Sequence, residues 1–133
     1  MPVRGERLTE RAVPPEPFRQ RWILLWDGEC GFCRRWVERA LRRDKTGMLR
    51  ACPYQQCTGW LPQPVLDRSS IQAHLRSPDG RYWGGGDAAI RLIGLLGHPG
   101  WEAVLGLPPL RMLVRAAYRA VAGQRRRLAG WGL

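Results

Sequence analysis

A chain of 133 residues and 15.2 kDa is too short for two independent hydrophobic cores, and its apolar share of 44% is too high for a disordered one. No apolar run reaches the ~18 residues that a membrane span needs. The charged, Pro-rich opening up to Gln20 carries no apolar stretch of a secretion signal, so a cytoplasmic chain with reduced thiols is expected. Charge is lopsided, with 22 basic residues against 11 acidic for a formal net of +11, and every basic residue but one is Arg. Such a surface draws anions. With no nucleic-acid motif beside it, nucleic-acid binding is the least favoured reading.

Residues 1–21, with Pro14, Pro15 and Pro17 among charges, read as a flexible basic arm. Trp22-Ile23-Leu24-Leu25-Trp26 is a continuous apolar run that stops at the turn signal Asp27-Gly28, as a strand buried on both faces should. Phe32, Trp36, Val37, Ala40 and Leu41 then recur at helical spacing, with arginines on the other face. A second strand is expected over Met48 to Cys52, then a long connection from Tyr54 to Arg68 with room for one helical turn. Ile71 to Leu75 alternates with period 2. Ser77-Pro78-Asp79-Gly80 is a turn, and Arg81-Tyr82-Trp83 returns as the second arm of a hairpin.

Gly84-Gly85-Gly86 leads to Asp87, a good N-cap for a helix from Ala88 to Leu96. The Gly run also has the composition of a phosphate nest, although no GxGxxG or GK[ST] pattern supports that. One or two helical turns follow from Trp101. Leu110, Leu113, Val114, Ala117, Tyr118 and Val121 mark an amphipathic helix with Arg111, Arg115 and Arg119 outside. His74 and His98 have no ligand partner at helical spacing and read as structural or solvated. The order predicts one α/β domain over 22–123, a four-stranded mixed sheet flanked by helices with a C-terminal helical extension, and a basic tail over 124–133.

The chemistry lies in Cys30-Gly31-Phe32-Cys33, between the buried strand and the first helix. Residues three apart in a first helical turn share one face, roughly 5–6 Å apart at Cβ, so a small adjustment closes a disulfide. The free amides and dipole of the helix start favour thiolate at Cys30. Arg34 and Arg35 add to this and Glu29 opposes it. Cys33, one turn in, is expected to be the more buried, resolving thiol. Gly28, Gly31 and Phe32 are candidate substrate contacts. Asp27 either caps the turn or helix, or accepts the proton of Cys33 during resolution. The redox carrier is the cysteine pair itself, with no organic cofactor implied. Substrates are protein or small-molecule disulfides and thiols.

Cys52 and Cys57 leave three readings open: inert small residues, an auxiliary dithiol, or two ligands of a zinc site completed by Cys30 and Cys33. A four-cysteine zinc module is therefore the main alternative to exchange chemistry.

Trp26-Asp27-Gly28-Glu29-Cys30-Gly31-Phe32-Cys33 resembles the signature of the DCC family of thiol-disulfide oxidoreductases: a hydrophobic strand, Tyr-Asp-Gly, one residue, Cys, two residues, Cys. Trp26 stands where Tyr is usual. Gly86-Asp87-Ala88-Ala89 is similar to the family's later Gly-Asp-Ala segment, and Tyr118 to Arg127 to its last helix. The resemblance implies a thioredoxin-like fold and carries Asp27, Cys30 and Cys33 over as site residues. Two departures stand out. Thioredoxin-like sites commonly have a cis-Pro before the third strand, where this chain has Ser69-Ser70. The pair Cys52 and Cys57 has no counterpart in the signature.

Overall fold

The computed structural model describes residues 6–7, 14–16 and 18–124. Its central strand is the apolar run, β2 (Trp22–Trp26). β2 pairs in parallel with β3 (Leu49–Pro53) and antiparallel with β4 (His74–Arg76), which pairs antiparallel with β5 (Arg81–Gly84). A two-residue strand, β1 (Glu6–Arg7), adds to the outer edge of β5, giving the order β1-β5-β4-β2-β3. β1 falls within the stretch read as a flexible arm, most of which lies outside the described residues, as does the basic tail beyond Gln124. The helices are α1 (Gly31–Arg43), α2 (Gln63–Arg68), α3 (Gly85–Leu95), α4 (Pro99–Leu105) and α5 (Pro108–Gly123).

Strand alternation divides the apolar run between the layers packed on the two faces of the sheet. Leu24 joins Val37 and Ala40 of α1, Leu75, Trp83, and Ala88 and Ile90 of α3. Ile23 and Leu25 face the opposite layer, with Cys52, Cys57, Trp60, Val65 and Tyr82. A strand filled on both faces has no polar position to spare, which is why its sequence reads as unbroken hydrophobics. The result is the expected thioredoxin-like α/β fold: a four-stranded mixed sheet between helices, lengthened at its edge by the two-residue β1, with α4 and α5 as the C-terminal extension. Among the described residues no helix is long and apolar enough to cross a membrane.

Three expectations need correction. β4 begins at His74, not Ile71, and Ile71 is 64% exposed. The amides of Ile71 and Gln72 both bond the Arg68 carbonyl, so the end of α2 holds these residues in a turn and delays the strand. Neither Ala73 nor Gln72, which lead into the strand, is a proline. α3 starts at Gly85 with Gly84 as its cap, so Asp87 lies inside the first turn and does not cap the helix.

The third correction concerns α5, which is rotated relative to its sequence pattern while keeping Val114 and Tyr118 inward. Leu113 and Val121 are exposed at 64% and 41%, while Arg111 and Arg115 point inward and grip Asp87. Two features set this orientation. Burial pushes the Asp87 carboxyl up, but the bonds from Arg115 and Arg111 outweigh it, so the group ionises below the usual range and demands its cations. A Cβ on Gly86 would lie 2.8 Å from the Arg115 Cα, so glycine is what lets the two helices cross there.

Candidate active site

The turn after β2 is built by its own backbone and by one distant side chain. The Asp27 carbonyl accepts the Cys30 amide at 3.1 Å, and Asp27 Oδ1 accepts the Glu29 amide at 3.0 Å. Cys30, extended at φ −100° and ψ 111°, then caps α1. Its carbonyl receives the first helical bond, from Arg34, at 3.0 Å. Its Sγ accepts the Cys33 amide at 3.2 Å, the bond that Ser or Asp makes at an ordinary N-cap.

Both thiols are free of any disulfide. The expected order of burial is reversed: Cys30 is 8% exposed and Cys33 is half-buried. The cap sulfur folds back over the helix end to reach an amide, which hides it, while the residue one turn in stands on the more open side.

Gly31 has no atom within 4 Å of the position a Cβ would take, so space opens directly beside the pair. Phe32 meets Trp36 edge-on, with ring centroids 6.2 Å apart, and the Arg39 guanidinium lies 5.0 Å over Trp36. Trp36, expected in the core, is 50% exposed. An aromatic ridge therefore runs along α1 from the cysteines. Gly28 is required by packing, because a Cβ there would sit 2.8 Å from the Pro53 Cβ.

Tyr54, Gln55 and Gln56 follow the second strand and are expected from the sequence near the cysteine pair as substrate contacts, but the role of Gln55 as a brace of the turn is not legible there. Its Oε1 accepts the Gly28 amide at 3.0 Å, and its Nε2 donates to Asp27 Oδ1 at 2.8 Å, so one amide side chain holds both ends of the Asp27-Gly28 peptide. Gln55 lies in a short 3-10 turn, Tyr54–Gln56, and helps to line a cleft of about 530 Å³ with Trp26, Gly28, Arg34 and Pro53. Glutamines in a polar connection carry no local signal, so only the fold reveals this contact. Asp27 itself anchors the turn.

Cys52 and Cys57 are neither an open dithiol nor inert singletons: they form a disulfide, with Cα atoms 6.9 Å apart. They are 3% and 0% exposed, in the apolar layer beneath Tyr54–Gln56. Among the described residues no group of three or more His, Cys, Asp or Glu side chains is placed to hold a metal.

A pair of free cysteines at the first turn of a helix, at the end of a central strand in a thioredoxin-like sheet, defines a class of dithiol proteins. The family model of the DCC1-like thiol-disulfide oxidoreductases matches residues 24–131, and the chain belongs to that family. No curated protein matches the chain, and no solved structure matches it.

Proposed function

We propose that the protein exchanges its Cys30–Cys33 dithiol with substrate disulfides, Cys30 attacking and Cys33 resolving. One observation carries this reading: the Cys33 amide is aimed at the Cys30 sulfur, supplying a donor where negative charge must rest on the nucleophile. The Cys30 thiolate attacks one sulfur of the substrate disulfide, forming a mixed disulfide and releasing the first substrate thiolate. Cys33, losing its proton, attacks the Cys30 sulfur and releases the second. The substrate gains two electrons, and Cys30 and Cys33 become a disulfide. The thiol-disulfide family supports substrates of this class. The space beside Gly31 and the Phe32 ring offers the approach. To Asp27 we assign the holding of the turn, because its Oδ1 is engaged by Glu29 and Gln55.

The greater exposure of Cys33 favours a second reading, in which Cys33 attacks and Cys30 resolves. Mass spectrometry of Cys33→Ser and Cys30→Ser, each mixed with a small disulfide, separates the two. A stable mixed disulfide that accumulates on Cys30 in Cys33→Ser, with Cys33 in Cys30→Ser far slower to react, supports the first. The opposite pattern establishes the second. No reaction in either variant or in the native protein rejects exchange chemistry.

A further inference from the structure

A second cavity, of about 510 Å³, opens at the same end of the sheet as the cysteines. The register fixes this position. His74 lies across from Leu25, one residue before β2 ends, and across from Gly84 on its other side. His74, Gly84 and the first turn of α3 form one wall. Arg68, from the end of α2, and Arg111, Arg115 and Arg119 of α5 bring four guanidinium groups to its lining.

The charges in this cavity do not balance. Asp87 is its one lining carboxylate among the described residues, and it is fully occupied. Arg111 Nε and Nη2 donate to its two oxygens at 3.1 and 3.0 Å, and Arg115 Nε and Nη2 at 2.9 and 2.7 Å. Arg68 and Arg119 have no ion pair among the described residues, so four guanidinium groups face one carboxylate. A concave wall of one sign focuses its field on whatever enters. His74, 5% exposed, lines the cavity too, and its buried Nδ1 has no hydrogen-bond partner among the described residues.

The geometry points to a carboxylate-binding subsite for a small acidic disulfide substrate. This inference rests on the exchange reading above, since it assigns the subsite to the molecule whose sulfur reaches Cys30. Arginine forks match a carboxylate with paired hydrogen bonds. Asp87 spends part of two forks to orient Arg111 and Arg115, which leaves their outer N–H groups, together with Arg68 and Arg119, for the ligand. The end of β2 leads to Cys30, and His74 and Gly84 of the cavity lie one and two strands away at that same end of the sheet, so the two sites share one end of the fold.

The test uses S-methylglutathione, which carries carboxylates and cannot exchange, against the same compound with its carboxylates esterified. Each is titrated into the native protein and into the Arg68→Ala/Arg119→Ala double variant, with thermal unfolding as the check on folding. The native protein should bind the acid about 10-fold tighter than the ester, and the double variant should lose most of that preference. Added salt should erode it as well. Equal affinity for acid and ester, or a preference unchanged in the folded double variant, overturns the subsite. Glutathione disulfide with the reduced protein gives the independent arm. Exchange without acid preference rejects the subsite alone, whereas acid-selective binding without oxidation of Cys30–Cys33 rejects the exchange reading and leaves an anion site.

Discussion

The chain holds two cysteine pairs whose surroundings differ in almost every respect. Cys30 and Cys33 are reduced, stand at a helix start and border open space at Gly31. Cys52 and Cys57 are bonded to each other and sealed in an apolar layer with Leu25, Trp60 and Val65. The Cys33 amide meets Cys30 Sγ at 3.2 Å, so the first pair has a backbone donor aimed at its sulfur. The buried pair has no such approach and instead closes the loop that carries Gln55. The two pairs differ in placement, one at a polar helix end and one inside a core, and the proposed exchange rests on that difference.

The sharpest way to break this contrast is to remove the reactive sulfur. Cys30→Ser keeps a cap, since serine is a good N-cap, so the helix should remain while exchange falls by about 1,000-fold or more. Disulfide reduction assayed beside circular dichroism checks it. Substantial exchange in the folded variant would move the chemistry to the other pair.

A smaller effect separates stability at this end of the sheet from chemistry. Burial, with a contribution from the Arg68 charge, pushes His74 down to about 4 from an ordinary 6.5. Between those values the unfolded chain binds a proton that the folded chain refuses, so stability is lost as pH falls through this window. The ceiling is about 3 kcal/mol. Urea unfolding at pH 7 and pH 4.5 should show the loss in the native protein and a flatter response in His74→Gln.

Next comes the fastener. Replacing Cys52 and Cys57 together by serine removes a short loop closure worth about 2 kcal/mol. It also leaves two hydroxyls in an apolar layer. Denaturant unfolding measures the loss, while exchange per folded molecule should stay within a few-fold. Loss of exchange in a folded double variant would make the second pair a participant.

What the sequence made legible was local. The five-residue apolar strand, the CxxC at its end and the helix beyond it follow from short-range patterns, and the structure carries all three. What stayed hidden depended on distant partners. Leu113 and Val121 have the spacing of a core face, yet Asp87 on α3 claims Arg111 and Arg115 and leaves those two positions exposed. An ion pair 24 or 28 residues away leaves no mark on helical periodicity. Arg91 interrupts an apolar helix in the sequence. In the fold its guanidinium lies 4.7 Å from the Trp22 ring and binds the buried Glu102 at 3.0 Å, so the interruption closes the core edge.

Gln55 gives the smallest effect and the finest test of how the two pairs are joined. It is exposed, so its two bonds to the Asp27-Gly28 peptide compete with water, and Gln55→Ala should cost only about 1 kcal/mol. Exchange should fall a few-fold all the same, because the turn that aims Cys30 loses its brace. Gln55→Glu separates bracing from packing. The glutamate can still accept from the Gly28 amide, but it cannot donate to Asp27 Oδ1, and at neutral pH it sets a second negative charge beside that carboxylate. Gln55→Glu should therefore exchange more slowly than Gln55→Ala at pH 7, and the gap should close as the glutamate is protonated on acidification. If both variants match the native rate, the loop fastened by Cys52–Cys57 supports the fold without steadying the reactive turn.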